Sequence, residues 1–391
     1  MSLLDFVFQR TFVNRWIGAN ENLLLLQRRL RREIPGPLRR GFYRTWVFSH
    51  ITARRQQFAA GDSELAPLTI KVSPTLRCNL QCRGCFAGNF PSRGDLAIDV
   101  MERTVKQAGA LGIRSVGVIG GEPLLVPGIF GLFARFPRTG FYLVTNGTLV
   151  DDDTVARLRS LPNVITIFSI EGFEQTNDAL RGVGVFRRVM DGMRRLREGK
   201  VIFGFSTVVH RENVGEVVSE RFIDFLIEQG CLFGGFLPYV PVGSTPRFEI
   251  VSDEDEVRAY YDRLDAIVRT RPILILKEGA SDGSFLNTGC GAGHTMHVTA
   301  NGEAEPCNGI EFYTERIQDS EPQRVLASPF FRDIRRLHHG TERHCLVINE
   351  PEAVLEVVQR HGARPTHLRA LEHLERYTAF RRGSGGPRAE A

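Results

Sequence analysis

From residue 68 to about residue 239, short β-branched or apolar runs alternate with longer amphipathic ones, and this alternation constrains the fold more than any other feature of the chain. Strand, helix and strand again is the repeating unit of a parallel sheet. The runs at 68–73, 115–119, 141–145, 164–169, 201–208 and 232–239 read as strands, and those at 99–111, 128–136, 152–161, 185–198 and 215–229 as helices. Six such units predict an α/β fold, a partial (β/α)6 TIM-like barrel whose function gathers where the strands end. A doubly wound sheet shares this periodicity, so motifs have to separate the two.

A helix over 252–269 with Ser252 as N-cap comes next, followed by an extra strand at 272–277 and a Gly, Cys and His-rich region from Thr288 to Cys345. Helices at 351–361 and 369–380 precede a Gly, Pro and Arg-rich tail. The expected division is a basic helical extension (1–66), the barrel (67–270), a small second domain (271–350), C-terminal helices (351–382) and a disordered tail (383–391).

Charge is concentrated at one end. Residues 1–60 hold eleven Arg against Asp5, Glu21 and Glu33, a net +8 in a chain whose total is +5, so the remainder sums to −3. The same end carries Trp16, Trp46 and an apolar set from Leu3 to Ile17 with Arg10 and Arg15 among it, then a second helical run at 21–32 that stops before Pro35 and Pro37. Basic, aromatic and amphipathic together read as a surface for a membrane interface. Packing against the main domain or a second subunit is the equal alternative. No nucleic-acid partner is expected, because the arginines accompany no recognition module. The apolar runs are too short to span a bilayer, and the amino terminus has no signal-peptide pattern, which reads as a cytoplasmic protein with peripheral membrane contact at most.

Seven cysteines, an odd number without an export signal, read as ligands or reduced thiols. Cys78, Cys82 and Cys85 lie within eight residues directly after the first strand. Three soft thiolates on so compact a loop suit three irons of a cubane and leave the fourth open. A structural zinc site is the alternative, although zinc in that role usually takes four protein ligands.

This CxxxCxxC motif after a first strand resembles that of the radical S-adenosylmethionine (SAM) superfamily, and further segments follow in the matching order. The resemblance covers about residues 68–240. It implies a [4Fe–4S] cluster whose open iron chelates SAM and whose electron cleaves the S–C5′ bond to a 5′-deoxyadenosyl radical. Gly120-Gly121-Glu122-Pro123 matches the GGEP motif, with glycines that allow close backbone approach to a ligand and a carboxylate able to accept from an ammonium group. Thr145 and Asn146 end the third strand and Ser169 and Glu171 the fourth, and Ser206 lies toward the end of the fifth, all as SAM contacts by resemblance; for Ser206 the alternative is a polar residue facing the barrel interior. Asn177, Asp178, Arg181 and Gly182 are assigned the plainer role of capping a helix. One departure stands out: the position before the third cysteine is commonly aromatic and packs near the adenine, whereas here it is Gly84, with Phe86 expected to fill that volume.

Sixteen residues separate Cys290 from Cys307, Asn301-Gly302 between them is a hairpin-turn signal, and Cys345 follows. This resembles the auxiliary-cluster region called SPASM or twitch. Three cysteines suffice for one auxiliary iron–sulfur cluster, with His338, His339, His344 or Glu350 available as a further ligand; zinc or unligated thiols are the alternatives. Cys231 reads as a core thiol. The resemblance further implies an oxygen-sensitive enzyme with a flavodoxin or ferredoxin as reductant. A hydrophobic or lipid substrate is expected from the amino terminus, a peptide is the alternative substrate, and a plain electron carrier is the non-enzymatic alternative.

Overall fold

The computed structural model describes residues 21–48, 52, 67, 69–87, 94–243, 245–277, 290–338 and 345–383. Six parallel strands appear as expected: β1 (Thr69–Val72), β2 (Ser115–Val118), β3 (Gly140–Thr145), β4 (Val164–Ser169), β5 (Phe203–Val209) and β6 (Phe233–Pro238). Each pairs with its sequence neighbour, and helices join them. β7 (Leu274–Lys277) adds in parallel to β6, so the extra strand after residue 270 extends the barrel sheet. On the other edge β8 (His297–Val298) runs parallel to β1, and β9 (Ala304–Glu305) returns antiparallel to β8, giving a sheet of nine strands among the described residues. This is the partial barrel of the sequence reading with one strand added at one edge and a hairpin at the other.

Capping explains where the helices begin. Asp151 accepts from Thr154 N at 2.8 Å to start Asp152–Ser160. Ser219 does the same for Glu220–Gln229, splitting the single helix expected over 215–229 into Val214–Val217 and Glu220–Gln229. The helix expected to start at Ser252 begins at Glu254, with Asp253 and Glu256 forming a reciprocal capping box. The helix Glu174–Arg181 escaped the sequence reading, as did Gly36–Phe42, Pro322–Leu326, Pro329–Arg336 and Leu346–Asn349; Asn177 is the buried residue of Glu174–Arg181, which shows no apolar stripe. Phe133, Phe141, Phe168, Phe203, Phe205, Phe222 and Phe236 fill a core that continues into Met296, Val298, Ile310 and Phe331, so barrel and hairpin region share one interior.

The basic extension has a packing role over its described part. Helices Glu21–Glu33 and Gly36–Phe42 bury Leu23, Leu26, Leu30, Ile34 and Leu38 against Ile165, Ile202, Leu232 and Phe233. Ile202 and Leu232 directly precede β5 and β6, so the helices close the end of the barrel opposite the strand exits. Arg29 is buried there and donates to Cys231 O at 2.7 Å and Ile227 O at 2.9 Å while pairing with Glu33. Trp46 lies against Gly140, where a Cβ would come within 3.0 Å of its ring. Residues 1–20, including Trp16 and the first apolar set, lie outside the described residues, as do 384–391 of the tail. Among the described residues no helix is long and apolar enough to cross a membrane.

Candidate active site

The loop that leaves β1 carries Cys78, Cys82 and Cys85, none of them in a disulfide, with Cys78 exposed and the other two half-buried. Two neighbouring strand exits hold this loop. Gly121 N donates to Thr75 O at 2.9 Å and Glu122 N to Arg77 O at 2.9 Å. From the end of β3, Asn146 Nδ2 donates to Asn79 Oδ1 at 2.8 Å and faces Cys78 Sγ at 3.6 Å, a sulfur that also receives Leu80 N at 3.4 Å. Burial pushes the Cys82 thiol up to about 11, with the Arg181 guanidinium pulling the other way and the Cys85 and Cys78 sulfurs adding to the rise. The three thiols are thus near enough to feel one another. Among the described residues no three His, Cys, Asp or Glu side chains converge on a single ion; thiolates that each hold a different iron of a cluster need not do so.

The glycines of the GGEP segment serve the loop itself. A Cβ on Gly121 would lie 2.1 Å from Arg77 O, and one on Gly120, whose φ is +112°, 2.5 Å from Thr75 O. Close approach is required here, but to the cysteine loop. Glu122 is fully buried: Oε1 accepts from Leu124 N at 3.1 Å and Thr145 Oγ1 at 2.8 Å, and Oε2 from Asn146 N at 2.8 Å. Burial pushes its carboxyl above the usual range against these three donors. In this structure the carboxylate therefore ties the exits of β2 and β3 together, and Pro123 opens the short turn Pro123–Leu125 that it caps.

Ser169, the last residue of β4, is the register partner of Ser206 in the middle of β5. Glu171 is buried beyond them, accepting from Arg181 Nη2 at 2.5 Å and Val208 N at 2.9 Å. The capping role holds for Asp178, which accepts from Gly184 N at 2.6 Å and Phe186 N at 2.7 Å. It does not describe Arg181, whose charge lies among Glu171, Cys82 and Cys85. A basic residue near thiols left no periodic signal, and only the cysteine loop folded over it shows its place. The space beside Gly84, at φ +68°, is faced by Tyr239, whose hydroxyl would stand 3.8 Å from a Cβ there. Phe86 instead lines a cavity farther along the loop.

The second cysteine set also comes together. The β8–β9 hairpin turns at Gly302 with φ +79°, and Cys307 follows β9 by two residues. Burial pushes the Cys307 thiol up to about 12, reinforced by Cys290, while Gly309 N donates to its sulfur at 3.3 Å. Cys345 is raised by burial too, with Cys290 and Cys307 acting on it. Of the further ligand candidates, His338 Nε2 is bonded to Ala292 O at 3.1 Å and Glu350 is exposed; His339 and His344 lie outside the described residues. Cys231 is a buried core thiol as expected. Between the two cysteine-bearing segments lies a cavity walled by Leu76 and Phe86 on one side and by His297, Glu303, Glu305 and Glu311 on the other.

Comparison with known proteins agrees with this geometry. The sequence profile of the Radical SAM superfamily matches residues 72–222, which begin at the end of β1 and contain both the cysteine loop and the strand exits around it. Over that stretch the chain is similar to the radical SAM superfamily. It is 30% identical over 200 residues to the AdoMet-dependent heme synthase of Methanosarcina barkeri, covering 49% of this chain and 56% of that one. It is 28% identical over 180 residues to the sporulation killing factor maturation protein SkfB of Bacillus subtilis, covering 45% and 42%. The chain thus spans about half the length of these relatives. Among solved structures, Streptococcus suis SuiB bound to S-adenosylmethionine superposes with a TM-score of 0.61 at 18% identity over 78% of each chain. Native anSMEcpe with bound AdoMet gives 0.56 at 17% over 81% and 98%. At such identities these two show the shared fold.

A radical SAM protein uses a [4Fe–4S] cluster and SAM, and the donor set of Cys78, Cys82 and Cys85, with N–H groups aimed at sulfur, fits the cluster. The Glu171–Arg181 pair supports the same loop. Arg181→Met is expected to destabilise the protein by about 3–5 kcal/mol, because it leaves the Glu171 carboxylate buried without its cation. Adding Glu171→Gln should recover part of that loss. Calorimetric unfolding reads both, and a single variant as stable as the parent would refute the account.

Proposed function

We propose that this protein is an enzyme that cleaves SAM reductively and directs the resulting radical at a substrate admitted between the cysteine loop and the β8–β9 hairpin. The clamped Cys78, Cys82 and Cys85 loop at the barrel mouth carries this reading. When bound there, a reduced [4Fe–4S] cluster supplies the electron that breaks the S–C5′ bond of SAM. The chain's own part is positional: Gly121, Glu122 and Asn146 fix the loop, and Ser169 and Ser206 offer hydroxyl groups on β4 and β5. Cys290, Cys307 and Cys345 are proposed to hold an auxiliary iron–sulfur cluster, and a flavodoxin or ferredoxin to supply electrons.

A polar, peptide-like substrate is favoured over a lipid. The cavity wall of His297, Glu303, Glu305 and Glu311 is suited to hydrogen-bonding groups and not to hydrocarbon. SkfB is a maturation protein and SuiB has been crystallised with its precursor peptide SuiA, which supports the same choice. The lipid reading rests on residues 1–20 alone once residues 21–48 are packed under the barrel.

Anaerobically reconstituted protein with dithionite and SAM should yield 5′-deoxyadenosine, and a protein with Cys78, Cys82 and Cys85 all replaced by Ala should yield none while keeping roughly half the iron. Product no greater than in that variant would sink the proposed activity. A folded, iron-free variant would sink the auxiliary cluster.

A further inference from the structure

Lys71 sits on the strand that leads into the first cysteine loop, yet its ammonium is delivered to the second cysteine set. Its register partner on β8 is His297, and the partner of His297 on β9 is Glu305, so the three residues form one row across the sheet edge that ends two residues before Cys307. Lys71 Nζ donates to Asn308 Oδ1 at 3.0 Å, and Asn308 directly follows Cys307. Acidic and imidazole side chains line the same row and bond one another as well. His297 Nδ1 and Glu305 Oε2 are 2.5 Å apart, Glu311 pairs with His367 at 2.7 Å, and Glu303 bonds Asn301 at 3.3 Å and faces Arg316 at 3.5 Å. The side chain is half-buried, and the Cys307 sulfur feels its positive charge. Three buried thiolates would be costly without cations beside them.

We infer that Lys71 is a positioning residue for the second cysteine set, its ammonium fixed by Asn308 beside Cys307 so that the iron–sulfur group held there is easier to reduce. This rests on the reading that Cys290, Cys307 and Cys345 hold such a cluster. Reduction adds negative charge, so a fixed cation favours the reduced form and raises the potential. The identity that matters is the charge at residue 71, which arginine also supplies.

The test is an EPR-monitored redox titration of full-length, reconstituted protein in which Cys78, Cys82 and Cys85 are replaced by Ala, so that one cluster gives the signal. Lys71→Gln should move the midpoint to more negative potential, raising the oxidised-to-reduced ratio at the parent midpoint about tenfold, equivalent to about 59 mV for one electron. Lys71→Arg should stay near the parent. Asn308→Asp, which brings a negative charge to the same place, should shift in the same direction as Lys71→Gln and serves if that variant fails to fold. Equal midpoints with equal iron content would overturn the role of Lys71 alone. A folded parent without iron would overturn the auxiliary-cluster reading and this inference with it.

Discussion

Gly121→Ala is expected to abolish SAM cleavage although it removes no ligand and no polar side chain. The new Cβ would fall 2.1 Å from Arg77 O, 2.7 Å from the Arg77 carbonyl carbon and 2.8 Å from that of Leu76. All three are backbone atoms and cannot swing aside as a side chain would. Either the segment before Cys78 moves, or the bonds from Gly121 N to Thr75 O and from Glu122 N to Arg77 O break. Both outcomes shift the three thiols relative to Asn146 and Arg181. A displacement of about 1 Å at a reacting group costs about a hundredfold in rate, and loss of cluster ligation costs all of it. Iron content, far-ultraviolet circular dichroism and 5′-deoxyadenosine should be measured together. The expected result is a folded protein whose iron falls to that of the variant with Cys78, Cys82 and Cys85 replaced. Gly109→Ala is the control: nothing lies within 4 Å of its Cβ, and its helical site tolerates or gains from alanine. Parent-like turnover in Gly121→Ala would show that the loop is not held as described.

The contrast between Gly121 and Arg181 marks what the sequence made legible. Six strands were readable because their apolar runs are local and each is bounded by turn residues. The first cysteine set was readable because its three cysteines sit on one loop, so their spacing in sequence reflects their spacing in space. Gly121 was visible as a required glycine, but its partner, the Arg77 carbonyl, lies 44 positions away in the chain and has no side-chain signature. Arg181 and Tyr239 were missed for a related reason. An arginine in a short helix without an apolar stripe reads as solvent-facing, and only the pairing of β4 with β5, which sets Glu171 opposite it, makes that site buried. Tyr239 ends the β6 region as an ordinary apolar residue until the loop carrying Gly84 folds over it. The same limit placed β7 and β8 correctly as extended segments without revealing that they join the two edges of the barrel sheet, since edge pairing depends on which neighbours are left unpaired.

The amino-terminal segment illustrates how one pattern serves two chemistries. Leucines at helical spacing beside arginines describe an interfacial helix and a packed amphipathic helix equally well, and the deciding fact is what lies opposite the leucines. Here it is Ile165, Ile202, Leu232 and Phe233. Arg29, which composition counts toward a charged surface, is one of the buried residues and satisfies two carbonyls at the floor of the barrel.

Deleting residues 1–66 is therefore expected to leave an insoluble or unfolded barrel. Leu23, Leu26, Leu30, Ile34 and Leu38 are each buried, and burial of such side chains is worth about 1.5–3 kcal/mol apiece. Their sum is comparable with the whole net stability of a typical domain, about 5–15 kcal/mol. The deletion also strips the Cys231 and Ile227 carbonyls of the Arg29 guanidinium and uncovers Phe233 and Leu232 at the barrel floor. Leu26→Asp tests the same packing within the full chain: a carboxylate placed in that apolar contact should lower the thermal midpoint by a few degrees, since each kcal/mol shifts the midpoint by about 2–4 °C at about 150–250 residues and by less in a longer chain. Solubility of the truncated protein, thermal unfolding of the point variant and sedimentation of the parent with anionic and neutral vesicles separate the two chemistries. A membrane helix would leave a soluble, SAM-cleaving truncation and a parent that sediments with anionic vesicles at low salt and less so at high salt. A packed floor predicts the reverse, loss of the fold on truncation whatever the lipid, because the surface the leucines seek is already supplied by β4, β5 and β6.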